Sequence, residues 1–140
     1  MGMWFFSLIC SLLAPLTMVL FGFLWKTRPP RDINSLYGYR TAMSSKNQQT
    51  WFFAHACISR LWRRLGLATL VLSILVYGLG SLALAGWRWS QLGVEENLDR
   101  TGFLILGIVT VQMIVLVGSI FPVERALKRR FDGEGKPRPE

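Results

Sequence analysis

WFFSLICSLLAPLTMVLFGFLW, residues 4–25, is an unbroken run of 22 residues without a charged side chain. As a helix rising 1.5 Å per residue it reaches roughly 33 Å, the thickness of a bilayer's hydrocarbon core. Two further uncharged runs follow, Leu65–Trp87 and Thr101–Pro122. Each is long enough to cross a membrane as a helix. A secretory signal fits the first run poorly, because no basic residue precedes it and it is too long. Pro15 lies in mid-run and removes one backbone donor, so a kink is expected there. Trp4 and Trp25 bracket the run as aromatics do at membrane interfaces.

The bulk numbers agree with that reading. Hydrophobic residues make up 51% of the 140 and charged residues only 17%, too oily a balance for an ordinary soluble chain. The length allows one domain. The formal net charge is +8. No basic recognition helix or nucleic-acid motif accompanies it, so nucleic acid is not expected as a partner. The basic residues instead flank the oily runs. Lys and Arg number 8 in Lys26–Arg64, 2 in Arg88–Arg100 and 6 after Val123. The excess marks loops retained in the cytoplasm. The N-terminus is therefore expected outside, the first loop inside, the second loop outside and the C-terminus inside, in a multi-pass protein of the inner (plasma) membrane.

The expected fold is an all-α membrane protein. It has three transmembrane helices, about 4–25, 65–87 and 101–122, plus a cytoplasmic amphipathic helix between spans 1 and 2. The whole of 1–131 forms one domain, with a disordered tail over 132–140 that is rich in Gly, Pro and charge. The Pro29-Pro30 pair ends the first span. Ser45-x-x-Gln48 has capping-box spacing and places a helix start near Lys46. From there Trp51, Ala54, Ile58, Leu61, Trp62 and Leu65, with His55 among them, recur at threes and fours on one face. Arg60, Arg63 and Arg64 gather where that helix is expected to end, favouring its C-terminal dipole. The helix lies at the headgroup layer, packs on the spans, or runs directly into the second span across Gly66.

Within the spans, Gly78, Gly80 and Gly86 with Ser73, Ser81 and Ala83 form a small-residue face suited to helix packing. Gln112 falls near the middle of the third span, where an amide bonds a neighbouring helix. No Asp, Glu, Lys or Arg lies within any span, which argues against an ion pump or proton-coupled carrier. Val123–Phe131 is a basic juxtamembrane helix that attracts anionic membrane lipids. Cys10 and Cys57 belong at different depths, so no disulfide is expected. With one histidine they make no zinc pattern, and no metal or cofactor is expected.

Polar chemistry concentrates in the first loop, INSLYGYRTAMSSKNQQTW, residues 33–51. Tyr37-Gly38-Tyr39-Arg40-Thr41 reads as a turn with Gly38 at its flexible point. Arg40 and Lys46 suit an anionic group, the first as a fork and the second as a point charge. Tyr37, Tyr39 and Trp51 suit an interface, with rings half immersed. His55, one helical turn after Trp51, faces the same region as a donor or proton acceptor. The competing reading is structural: aromatics that anchor, and a histidine whose hydrogen bonds are satisfied. Catalysis has little footing. Asp32 is the only acid in the first loop, no carboxylates pair, and Ser44, Ser45 and Lys46 lack an oriented base.

The loop resembles the SdpI family of small bacterial membrane proteins. The resemblance rests on Asn34, on Tyr37-Gly38-Tyr39-Arg40-Thr41, on Ser44 and Lys46-Asn47, and on Trp51 with His55 four residues later, followed by two more spans. Ala42 stands where the family often has Pro, which loosens the turn. Gln49 stands where an acid is common, which weakens any role needing a carboxylate beside Arg40. The resemblance implies binding rather than catalysis. It implies immunity to a membrane-active peptide toxin, or signalling of its presence to a cytoplasmic regulator protein. The implied contact residues are Asn34, Tyr37, Gly38, Tyr39, Arg40, Thr41, Lys46, Asn47, Trp51 and His55. The alternative is a membrane enzyme or lipid-handling protein that uses Arg40 and His55 at the inner interface.

Overall fold

Residues 2–34, 36–87 and 94–139 are described by a computed structural model, with side chains over 8–34, 36–80, 102–103 and 105–139. Among the described residues four helices follow in order: α1 (Gly2–Thr27), α2 (Gln48–Trp87), α3 (Val94–Gly118) and α4 (Ile120–Arg130). Three segments of the described residues are long and apolar enough to cross a membrane: Leu8–Thr27, Gln48–Gly80 and Ile105–Arg130. Among the described residues the chain is otherwise loops, turns and one isolated bridge, Phe131 to Pro137. The expected all-α, three-span architecture is observed. Of the expected second loop, 88–93 lie outside the described residues and 94–100 already belong to α3.

The amphipathic helix and the second span are one helix of 40 residues. Nothing between Arg64 and Leu67 stops it. Gly66 costs a helix only about 1 kcal/mol relative to Ala. The position is also used: a Cβ on Gly66 would meet the Val19 backbone nitrogen at 2.9 Å, and one on Gly22 would meet that of Arg63 at 2.8 Å. Helices α1 and α2 thus approach closely at these glycines, and this pair packs more extensively than any other. The close approach was expected further along, at the small residues of the second span. At Gly78 and Gly80, however, a Cβ would meet nothing within 4 Å. The side chains of Ser81 and Ala83, and Gly86, lie outside the described set. Because α2 continues past Arg64, the arginines do not sit at a helix terminus. Arg60 and Arg63 instead bond back to the carbonyls of Ala56 and Ser59, and Arg63 lies over the Phe23 ring at 5.6 Å.

Gln112 joins three helices. Its amide nitrogen donates to the Ser11 carbonyl of α1 and to the Ser73 hydroxyl of α2, both at 2.8 Å. The Ser73 hydroxyl in turn donates a hydrogen bond to Thr69 O at 2.7 Å. A buried amide in an apolar layer needs such partners, and here it finds them on the neighbouring helices.

Helices α3 and α4 are separated at Ser119, whose hydroxyl donates to Leu116 O at 2.6 Å and accepts the Trp62 indole N–H at 2.9 Å. Pro122 supplies the physical reason for the break, since it has no N–H to offer the Gly118 carbonyl one turn back. In α4, Val123 and Leu127 are buried and Lys128, Arg129 and Arg130 end the helix.

The main apolar cluster sits at the first-loop end of the bundle. Trp25, Tyr39, Met43, Ala54, Ile58, Val123, Leu127 and Phe131 form it, drawn from α1, the loop, α2, α4 and the segment after α4. Leucines and isoleucines of the spans face outward, as at Leu20, Leu79 and Ile114. The span surfaces are therefore suited to lipid, and the loop end carries the protein-like interior.

Candidate functional site

The first loop is a built structure. It starts with Asn34, whose carboxamide oxygen accepts the backbone N–H groups of Leu36 (3.0 Å) and Tyr37 (2.9 Å). Such an Asx-type turn needs only a short side-chain carbonyl two or three residues upstream. Gly38 then takes φ +117°, a conformation side chains resist, and a Cβ there would stand 2.8 Å from His55 Nε2 and 3.1 Å from the Trp51 ring. The chain is thereby pressed onto the first turns of α2.

His55 holds it. The Tyr39 backbone N–H donates to His55 Nε2 at 2.9 Å. Nε2 is therefore the acceptor and the ring proton resides on Nδ1, which donates to Trp51 O at 2.8 Å. Both nitrogens are committed and the residue is fully buried. Its ring lies 4.5 Å from that of Trp51 and edge-on to Trp25 at 5.2 Å. Trp25 stacks in turn on Trp62 at 5.3 Å. The Trp51 indole N–H donates to Pro30 O at 2.9 Å, which gives the Pro29-Pro30 turn its place. Gln48 reaches back to Arg31 O.

Tyr39 links the loop to the far end of the chain. Its hydroxyl lies 3.3 Å from Ile120 O and 3.4 Å from Glu124 Oε1. Burial, reinforced by the Glu124 charge and its hydrogen bond, pushes the phenol well above the ordinary tyrosine value. The Tyr39 carbonyl accepts the Ser44 hydroxyl at 2.9 Å. Thr41 and Ser44 then bond each other's backbone N–H through their hydroxyls, at 2.8 and 3.1 Å. That reciprocal pair closes the turn at Ala42, where proline is absent.

Capping of α2 differs from the expected Ser45–Gln48 pair. Asn47 accepts the Thr50 N–H at 2.9 Å, and the Thr50 hydroxyl accepts the Asn47 N–H at 3.2 Å. The capping residue is two positions later than expected, and Gln48 is spent on Arg31. The signal was present as Asn-x-x-Thr, since Asn caps as well as Ser.

The structure therefore divides the ten candidate residues. Tyr39, Trp51 and His55 form a buried lock, with Gly38 fitted against it. Asn34, Thr41 and Asn47 shape turns and a cap. Trp51 and Tyr39 are interior residues, and Trp25 likewise packs inside, in place of the expected interfacial positions. Exposed at the surface are Tyr37, Arg40 and Lys46, together with Leu36, which is 90% exposed. Thr50, Glu124 and Leu36 complete the loop and carry no sequence motif of their own, while Pro30, expected only to end the first span, also accepts the Trp51 indole N–H. Among the described residues no group of His, Cys, Asp and Glu is arranged to hold a metal.

Three apolar helices of membrane-crossing length, closed at one end by a hydrogen-bonded loop, define a helical membrane protein. The profile of the SdpI/YfhL protein family matches residues 31–123, and the chain belongs to that family. It is similar to the "Uncharacterized protein YfhL" of Bacillus subtilis (strain 168), 50% identical over 34 residues. That stretch covers 24% of this chain and 31% of the relative, so the match spans about a third of the relative's length. No solved structure matches the chain.

Proposed function

We propose that this protein confers resistance to a membrane-active peptide toxin, or relays its presence, through the first loop. The observation that carries the reading is the display of Leu36 and Tyr37, 90% and 57% exposed, on a loop otherwise fixed by buried hydrogen bonds. An apolar tip on a rigid frame loses little entropy when it docks. Arg40, exposed on the same turn, suits a carboxylate or phosphate. Family membership supports the reading at the level of the class. The excess of Lys and Arg around the loop supports a cytoplasmic loop at the inner membrane, with the N-terminus outside and the C-terminus inside. The loop's partner is then a lipid-bound peptide toxin or a cytoplasmic regulator protein.

The enzymatic alternative draws no support from His55, whose two ring nitrogens are both engaged inside the lock. A catalytic base needs a nitrogen that reaches substrate.

The test is a growth assay in a host lacking the protein, challenged with a panel of membrane-active peptides. Wild type is expected to raise the inhibitory dose of at least one peptide. Leu36→Ser with Arg40→Ala is expected to remove that protection at unchanged membrane levels. Full protection by the double variant would show that the loop tip is not the contact surface.

A further inference from the structure

Residues 132–139 are not a loose tail. Asp132 N–H donates to Lys136 O at 2.9 Å, and Gly135 N–H to Asp132 O at 3.1 Å. The Asp132 carboxylate accepts the N–H groups of Glu134 (2.9 Å) and Lys136 (2.8 Å). Arg138 N–H closes onto Arg130 O at 3.0 Å. The turn is anchored by Phe131, buried edge-on against Phe53 at 5.5 Å. Composition predicted disorder because the segment is short, polar and rich in Gly and Pro. Local bonding of a single carboxylate to two amides, with one aromatic anchor, is what orders it.

This turn lies on the first loop. Lys46 donates its ammonium to Gly133 O, and the Asn47 carboxamide nitrogen donates to Gly135 O at 2.7 Å. Asn47 therefore serves two elements at once: its oxygen caps α2 and its nitrogen holds the turn. Gly135 is buried with φ +84°, and a Cβ there would stand 2.7 Å from Asn47 Nδ2. At Gly133 a Cβ would meet nothing within 4 Å. Both glycines offer a carbonyl to the loop, but only at Gly135 would a side chain collide with it. The turn also lies beyond residue 123, where the family match ends.

We infer that residues Asp132–Arg138 are a strap that closes over the Lys46–Asn47 end of the first loop, away from the exposed Leu36 and Tyr37. The strap occupies one side-chain donor of each of two loop residues with its own carbonyls. A partner that brings acceptors to Lys46 and Asn47 competes with it for those donors. Its regulatory consequence rests on the reading of the loop as the contact surface. An opened strap presents more of the loop, so protection rises.

Hydrogen exchange of the full-length protein in detergent, read by mass spectrometry, tests the strap itself. In wild type the amides of Asp132, Lys136 and Arg138 are expected to be protected. Gly135→Ala is expected to speed their exchange by about tenfold or more. Asn47→Asp keeps the capping oxygen and removes the donor, so it is expected to do the same without loosening α2. Gly133→Ala is expected to match wild type. Unprotected wild-type amides, or equal behaviour of the two glycine variants, would overturn the strap. The growth assay separates the two readings. If Leu36→Ser removes protection while Gly135→Ala leaves the inhibitory dose unchanged, the strap masks nothing and the inference falls. If Leu36→Ser has no effect, the loop reading fails, and exchange alone still decides the strap.

Discussion

Replacing His55 gives the sharpest check on the loop's architecture. His55→Leu keeps an apolar side chain but removes the acceptor of the Tyr39 N–H, a buried donor bonded at 2.9 Å. An unsatisfied buried donor costs about 1–3 kcal/mol. Two ring contacts, to Trp51 at 4.5 Å and to Trp25 at 5.2 Å, are lost as well. Each contributes about 0.5–1.5 kcal/mol beyond its buried area. The sum is roughly 2–6 kcal/mol, and the aliphatic replacement recovers part of the packing. A loss of roughly 3 kcal/mol is expected. His55→Gln places an amide oxygen near the position of Nε2 and restores the acceptor. It forfeits the bond to Trp51 O, a carbonyl already within a helix, and part of the ring packing. Its expected cost is about 1–2 kcal/mol. Unfolding in mixed micelles, followed by tryptophan fluorescence, measures both, since Trp25, Trp51 and Trp62 surround the site. Exchange of the Tyr39 amide supplies a local readout, accelerated in the Leu variant and near wild type in the Gln variant. Equal damage by Leu and Gln would refute the assignment of Nε2 as an acceptor. Under the enzymatic alternative, Gln would abolish activity while leaving stability nearly intact.

Gly38→Ala combines the left-handed backbone at φ +117° with a Cβ 2.8 Å from His55 Nε2, so a loss of about 2–3 kcal/mol is expected by the same unfolding measurement. Gln112→Leu removes two interhelical bonds at 2.8 Å, and at about 0.6 kcal/mol for an average membrane hydrogen bond it should cost about 1–2 kcal/mol. Tyr39 has a phenol raised above the ordinary 10.0, so the folded state holds its proton more tightly than the unfolded state does. That contribution is fully present below pH 10 and is lost as pH rises toward the folded value, at up to about 1.4 kcal/mol per pH unit. Tyr39→Phe should flatten this fall, checked by unfolding at pH 9 to 11 (roughly the window in which an unfolded tyrosine ionises). Gly66→Val should separate α1 from α2, with its Cβ 2.9 Å from the Val19 nitrogen, whereas Gly80→Ala should leave the monomer unchanged; thermal stability of the two variants in detergent checks the contrast.

The spans were legible in the sequence because membrane crossing is a one-dimensional requirement. About 20 apolar residues suffice, and neighbours in space do not enter the criterion. The buried face of α2 was legible for a related reason, since helical periodicity alone gathers Trp51, Ala54, His55 and Ile58, all fully buried, on one side. Gln112 was readable as an interhelical donor because an amide in an apolar layer has few other outlets. The motif itself was visible, but the division of its residues was not. Whether Tyr39 and Trp51 face lipid or interior depends on what packs against them. Those partners are His55, Pro30 and Glu124, the last 85 residues away from Tyr39. Tertiary structure alone also decided which glycines matter, since close approach is a property of two backbones: Gly22 and Gly66 meet α2 and α1, while a Cβ on Gly78 or Gly80 would meet nothing within 4 Å among the described residues. The same holds for the tail, whose composition reads as disorder until Lys46, Asn47 and Phe53 are brought beside it. Sequence determines what a residue is able to bond, and only the folded chain determines which partner reaches it first.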